Sequence, residues 1–79
     1  MEDFNTKYNF KPGDKVIWDS HFGYDVCLYR GPGVMYYTFE VEMLTGVIPG
    51  SIASFSVSEI FPYSEELYNE LKIKYNYQY

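Results

Sequence analysis

The sequence predicts a mainly β fold, a small five-stranded barrel followed by a short C-terminal α-helix. Three observations predict it. A Pro12-Gly13-Asp14 turn runs straight into Lys15, Val16, Ile17 and Trp18, a β-branched and aromatic run suited to a pleated strand. Residues 36–44 carry the cleanest period of two in the chain, the period of a half-buried strand. Glycine and proline cluster at 31–33 and again at 46–50, so the chain is punctuated at strand-length intervals.

Taken in order, residues 1–9 read as an N-terminal arm, 10–62 as the barrel and 64–76 as the helix, all within one domain spanning 1–79. The first strand is Lys15 to Asp19, with Val16 and Trp18 on one face and Lys15, Ile17 and Asp19 on the other. Ser20 to Gly23 form a loop. The second strand, Tyr24 to Arg30, is apolar on both faces, which suits a strand covered on both sides. Gly31-Pro32-Gly33 should break it. The third strand, Tyr36 to Leu44, turns Tyr37, Phe39, Val41 and Met43 inward and Tyr36, Thr38, Glu40 and Glu42 outward. A turn from Thr45 to Gly50 leads to the fourth strand, Ser51 to Val57, in which Ala53, Phe55 and Val57 alternate with serines. Ser58 and Glu59 make a tight turn into a stub strand at Ile60 and Phe61.

Ser64 is a good helix N-cap, with Glu65 and Glu66 in the first turn, where the helix dipole favours acids. Tyr63 and Tyr68 have the spacing of a hydrophobic staple. Leu67, Leu71 and Tyr75 form a stripe at i, i+4 and i+8, joined by Tyr68. Glu70 and Lys74 have the spacing of a favourable ion pair. A helix this short needs a dock, and the expected one is the open end of the barrel.

A chain of 79 residues buries only about 60% of its unfolded surface. Cys27 is the sole cysteine, so no internal disulfide can help. A lone thiol and an acidic N-terminus without an apolar run fit a cytoplasmic protein with no signal peptide. The longest uncharged stretch, Met43 to Ser58, is broken by Gly46, Pro49, Gly50 and four serines, and does not suit a membrane span. Stability must come from aromatic packing: ten tyrosines, six phenylalanines and one tryptophan are more rings than so thin a core can hold. Some tyrosines therefore face water, where they make good contact residues.

Charge is uneven. The net charge is −5, yet between Asp19 and Glu70 eight acids face the single base Arg30. Phosphate recognition needs clustered Lys and Arg, so direct nucleic-acid binding is disfavoured and a protein with a basic surface is the favoured partner. Candidate binding residues are Asp19, Tyr24 and Asp25 near the first loop, Tyr36, Glu40 and Glu42 on the outward face of the third strand, and Glu65, Glu66 and Glu70 along the helix. If these acids are spaced like phosphates, the partner is a nucleic-acid-binding protein whose basic groove they occupy.

The strand order, with Gly13-Asp14-Lys15-Val16 at its start and Ser58-Glu59-Ile60-Phe61-Pro62 at its close, resembles a Src-homology-3-like small barrel of the KOW and Tudor type over residues 10–62. KOW-type barrels that touch RNA carry lysines and arginines around their loops, whereas these loops carry Asp19, Asp25 and Glu59. The resemblance thus leaves a nucleic-acid- or ribosome-associated barrel as the alternative function. Tudor-type readers enclose a methylated amine among aromatic rings and one acid. The matching positions here are Trp18, Phe22, Tyr24 and Tyr36 with Asp19 or Asp25, although Trp18 on the apolar face of its strand also suits the core. In overall style the chain is similar to small acidic, tyrosine-rich early proteins of tailed bacteriophages, which implies a modulator or inhibitor of a host protein.

No catalytic set is visible. His21 and Cys27 are the sole residues of their kinds. They read as a loop residue and a strand residue rather than as a nucleophile pair. Zinc prefers four Cys, His or carboxylate ligands; Asp19, His21 and Asp25 read as a solvated loop instead. Ser54, Ser56 and Ser58 read as the wet face of a strand. The sequence therefore predicts a non-enzymatic protein without metal or cofactor.

Overall fold

The computed structural model describes residues 9–76; the arm expected at 1–9 falls, but for Asn9, outside the described residues. Five strands form one antiparallel sheet: β1 Lys15–Asp19, β2 Tyr24–Pro32, β3 Thr38–Met43, β4 Ile52–Ser56 and β5 Ile60–Pro62. A 3-10 turn, Val57–Glu59, joins the last two strands, and a single helix, α1 Glu65–Asn76, follows. Spatial order is β4-β3-β2-β1-β5. The mainly β fold with a C-terminal helix is thus as the sequence predicts. The hydrogen-bonded order runs from edge to edge, with β4 at one edge and β5 at the other.

The sheet is nevertheless strongly curled. β1 and β4 are three ladder steps apart, which would separate them by about 14 Å if the sheet were flat. Instead the rings of Trp18 and Phe55 stack with centroids 3.6 Å apart and planes 9° from parallel. Val16, Cys27, Tyr29, Phe39, Val41, Met43 and Ile60 fill the concave side, with Phe10 and Trp18 packed against them. At one end of this core Phe10, Tyr29 and Phe39 meet ring to ring, with centroids 5.3–5.8 Å apart.

The convex side carries a second core. Ile17 is fully buried there against Leu71 and Tyr75, with Tyr24, Tyr63, Leu67 and Tyr68 around it. α1 therefore docks on the outside of the sheet, over β1, and not on the open end expected from the sequence. Ile17, assigned to a face with Lys15 and Asp19, is on that face, but the face is roofed by the helix. The N-cap is as predicted: Leu67 N donates to Ser64 Oγ at 3.0 Å, and Tyr63 packs on Tyr68. Among the described residues the ion pairs are those of Arg30. The Glu70–Lys74 pair is not among them, and Lys74 lies over the Tyr75 ring.

Local chemistry explains the remaining departures. β2 continues through Gly31 and Pro32, where a break was expected, because a bulge between Tyr29 and Gly31 absorbs the irregularity. Gly31, at φ 152°, suits that bulge. The bulge makes Arg30 the extra residue, and its guanidinium reaches Glu40 at 3.7 Å and Glu42 at 3.2 Å on the convex face. β3 begins at Thr38 rather than Tyr36. Tyr37, expected inside, lies in the β2–β3 loop at φ 64° and is mostly exposed. Val57, expected at the end of β4, begins the 3-10 turn instead. At the start of β1 the turn is held at both ends: Asp14 N donates to Lys11 O, and Gly13 N to Tyr29 O at 2.8 Å.

Candidate protein-binding cleft

The uncharged segment from Met43 to Ser58 has a place of its own. Its turn, between β3 and β4, lies at the same end of the sheet as the β1–β2 loop. Thr45 clamps it: Val26 N donates to Thr45 Oγ1 at 3.0 Å, and that hydroxyl donates to Asp25 Oδ1 at 2.9 Å. Leu44 N and Thr45 N both donate to Val26 O. Gly46, at φ 103°, runs so close to Asp25 that an added Cβ would sit 3.3 Å from its Oδ1. A glycine is the residue that suits both demands.

Beyond the clamp, Val47 and Ile48 project into solvent, 98% and 68% exposed. They overhang a cleft of about 320 Å³ lined by Trp18, Asp25, Met43, Ala53 and Phe55. Trp18 is fixed from two sides, by the Phe55 ring and by a 3.0 Å hydrogen bond from its Nε1 to Glu59 Oε1. The cleft is thus an apolar and aromatic hollow with the Asp25 carboxylate on its wall. Exposed apolar surface of this kind marks contact sites more often than chance.

The nine residues singled out from the sequence do not converge. Asp25 alone reaches the cleft. Asp19 and Tyr24 are register partners on the convex face. There the Tyr75 hydroxyl donates to Asp19 Oδ1, and the Tyr24 ring packs against Tyr68 and Tyr75. Burial raises the Asp19 carboxyl, but the Tyr75 hydroxyl, the His21 amide and the nearby Lys74 outweigh it and leave it below the ordinary value. Glu40 and Glu42 share the Arg30 guanidinium. Tyr36 is 90% exposed in the β2–β3 loop, at the opposite end of the sheet from the cleft. Glu65, Glu66 and Glu70 line the exposed side of α1. The aromatics considered for a cage also separate: Trp18 is in the cleft, Tyr24 under the helix, Phe22 out in solvent and Tyr36 at the far end.

Met43, Val47, Ile48 and Phe55 were not foreseen as site residues. The available signal was an apolar pair, Val47-Ile48, inside a glycine-bounded turn, where polar residues are the rule.

Cys27 lies on the concave side, fully buried, 3.6 Å from Met43 Sδ. Burial, then the Asp25 charge, pushes its thiol up to about 12. Such a thiol is a poor nucleophile. Among the described residues no cluster of three or more His, Cys, Asp or Glu side chains is placed to hold a metal, and no helix is long and apolar enough to cross a membrane. No protein-family model, curated protein or solved structure matches the chain, so the geometry itself carries the functional reading.

Proposed function

We propose that the chain is a small non-enzymatic binding module that modulates a protein partner with a basic surface. The cleft is its contact site. The observation that carries this reading is the pairing of an apolar, aromatic hollow with the Asp25 carboxylate on its wall. A lysine or arginine of the partner fits it: the aliphatic stem packs on the apolar lining, and the charged head meets Asp25. The acids of the middle of the chain steer such a partner in. The order of strands and the 3-10 turn before β5 support the Src-homology-3-like likeness. The buried, unreactive Cys27 suits a reducing cytoplasm.

Occupation of a nucleic-acid-binding groove by phosphate-like acids has less support. Asp19 is engaged by Tyr75, and Glu40 and Glu42 by Arg30, so the acids of the sheet do not join those on α1 in one unengaged row. Direct binding of nucleic acid has less still: Arg30 is taken by glutamates and Lys15 lies 4.6 Å over the Tyr63 ring.

Titration of isotope-labelled protein with short peptides bearing one lysine or arginine, followed by amide shifts, tests the reading. Expected are shifts at Asp25, Thr45 to Ile48 and the Trp18 indole, weakened by added salt and lost in Asp25→Asn. That variant retains an oxygen for the Thr45 hydroxyl. Shifts confined to α1, or equal shifts with glutamate peptides, overturn it.

A further inference from the structure

We propose that β4 is a self-pairing edge, joining antiparallel to β4 of a second copy across a two-fold axis to make one continuous ten-stranded sheet. This goes beyond the cleft and does not depend on what occupies it.

The two edges of the sheet differ. Natural edge strands are guarded by charge, proline, bulges or shortness. β5 has such guards: it is three residues long, ends in Pro62 and follows Glu59. β4 has none beyond its modest length. Its five residues, Ile52–Ser56, are free of charge and proline, and its register with β3 runs unbroken from Glu42↔Ile52 to Thr38↔Ser56.

The occupant follows from charge and shape. Each copy carries a net charge of −5, so two copies approach most easily through neutral surface. Residues 43–58 are the longest uncharged stretch and supply this edge. The acids that pair with it across the ladder, Glu40 and Glu42, are already held by Arg30. An antiparallel pairing centred on Ser54 places Ala53 opposite the partner's Phe55, and Phe55 opposite the partner's Ala53, so that a large side chain meets a small one twice. No like charges stand opposite each other anywhere between Ser51 and Val57. The same register lays the exposed Ile52 across from the partner's Ser56.

Sedimentation between about 10 μM and about 1 mM reads the association directly. The chain is expected to form a concentration-dependent dimer. Ser54→Lys, at an exposed position, weakens it by about tenfold or more with circular dichroism and melting temperature unchanged. Ser54→Cys supplies the one reactive thiol, since Cys27 is fully buried. Facing strands hold opposed Cα atoms about 4.5–5.5 Å apart, within disulfide reach. Mild oxidation of Ser54→Cys therefore gives a covalent dimer, and Ile52→Cys, four residues out of register with its own copy, gives none. A chain that stays monomeric throughout overturns the proposal, even if it captures a foreign strand. So does a dimer indifferent to Ser54→Lys, or equal cross-linking at Ile52→Cys. Should Ser54→Lys fail to fold, the cross-linking pair decides alone.

Discussion

The hydroxyl of Tyr75, in the last turn of α1, donates a hydrogen bond to the carboxylate of Asp19 at the end of β1. It is a polar latch at the rim of the convex core, whose apolar part is made by Ile17, Leu67, Leu71 and aromatic rings. Tyr75→Phe is expected to lower stability at neutral pH by about 1.5 kcal/mol, the low end for a bond to a charged group. Because the folded Asp19 carboxyl lies below its ordinary value of 3.8, its contribution is present above that pH and is lost as pH falls through the folded value. Urea denaturation of the two proteins at neutral and at acid pH checks this. The gap between them should narrow in acid, and a gap that widens contradicts the assignment.

The same latch acts at the alkaline end. Burial, followed by the bonded Asp19 carboxylate, pushes Tyr75 ionisation up to about 12 from 10.0. Its stabilising contribution is complete below pH 10 and is lost as pH rises towards 12. Burial also raises Tyr24, so tyrosinate absorbance should show late-titrating rings, of which Tyr75→Phe removes the one at about 12. Loss of an early-titrating ring instead would count against it.

Gly33 is required on steric grounds. A Cβ there would lie 2.2 Å from Thr38 Oγ1, the atom that donates to Met35 O at 2.7 Å and shapes the β2–β3 loop. Gly33→Ala is expected to cost about 1–3 kcal/mol, as overpacking does. Combining it with Thr38→Ala removes the nearest clash, so the double variant should lose less than the two singles together. Denaturation midpoints of the four proteins give the coupling; strict additivity would mean that the clash relaxes elsewhere.

Phe55→Ala should expose one face of the Trp18 indole. The ring is only half-buried, so a loss of about 2 kcal/mol is expected, below the range for a fully buried phenylalanine. Trp18 is the sole tryptophan, and its emission should shift to the red. Unchanged emission would show that the indole keeps its environment without the stack.

Strands, helix and cap were legible because each is written locally. The alternation around Phe39 and Val41, the β-branched run at Val16 and Ile17, and Ser64 before two glutamates need no knowledge of distant residues. What was not legible depends on contacts far along the chain. The side of the sheet occupied by α1 is decided by Ile17 meeting Leu71 and Tyr75. Continuation of β2 through Gly31 and Pro32 is decided by pairing with Glu40 and Phe39. The cleft exists because the sheet curls far enough for Trp18 to reach Phe55. The engagement of Asp19 by Tyr75, and of Glu40 and Glu42 by Arg30, is likewise not visible in composition.

β1 lies between β2 and β5 and beneath α1, although β5 and α1 come after the other described elements. Residues 15–19 thus emerge from the ribosome long before their second ladder partner and their helical cover. Until residues 60–76 have been made, Ile17 has no lid and one side of β1 stays open. Assembly of the native domain must therefore await the synthesis of α1, and a chain halted short of Leu71 would leave that early strand unshielded.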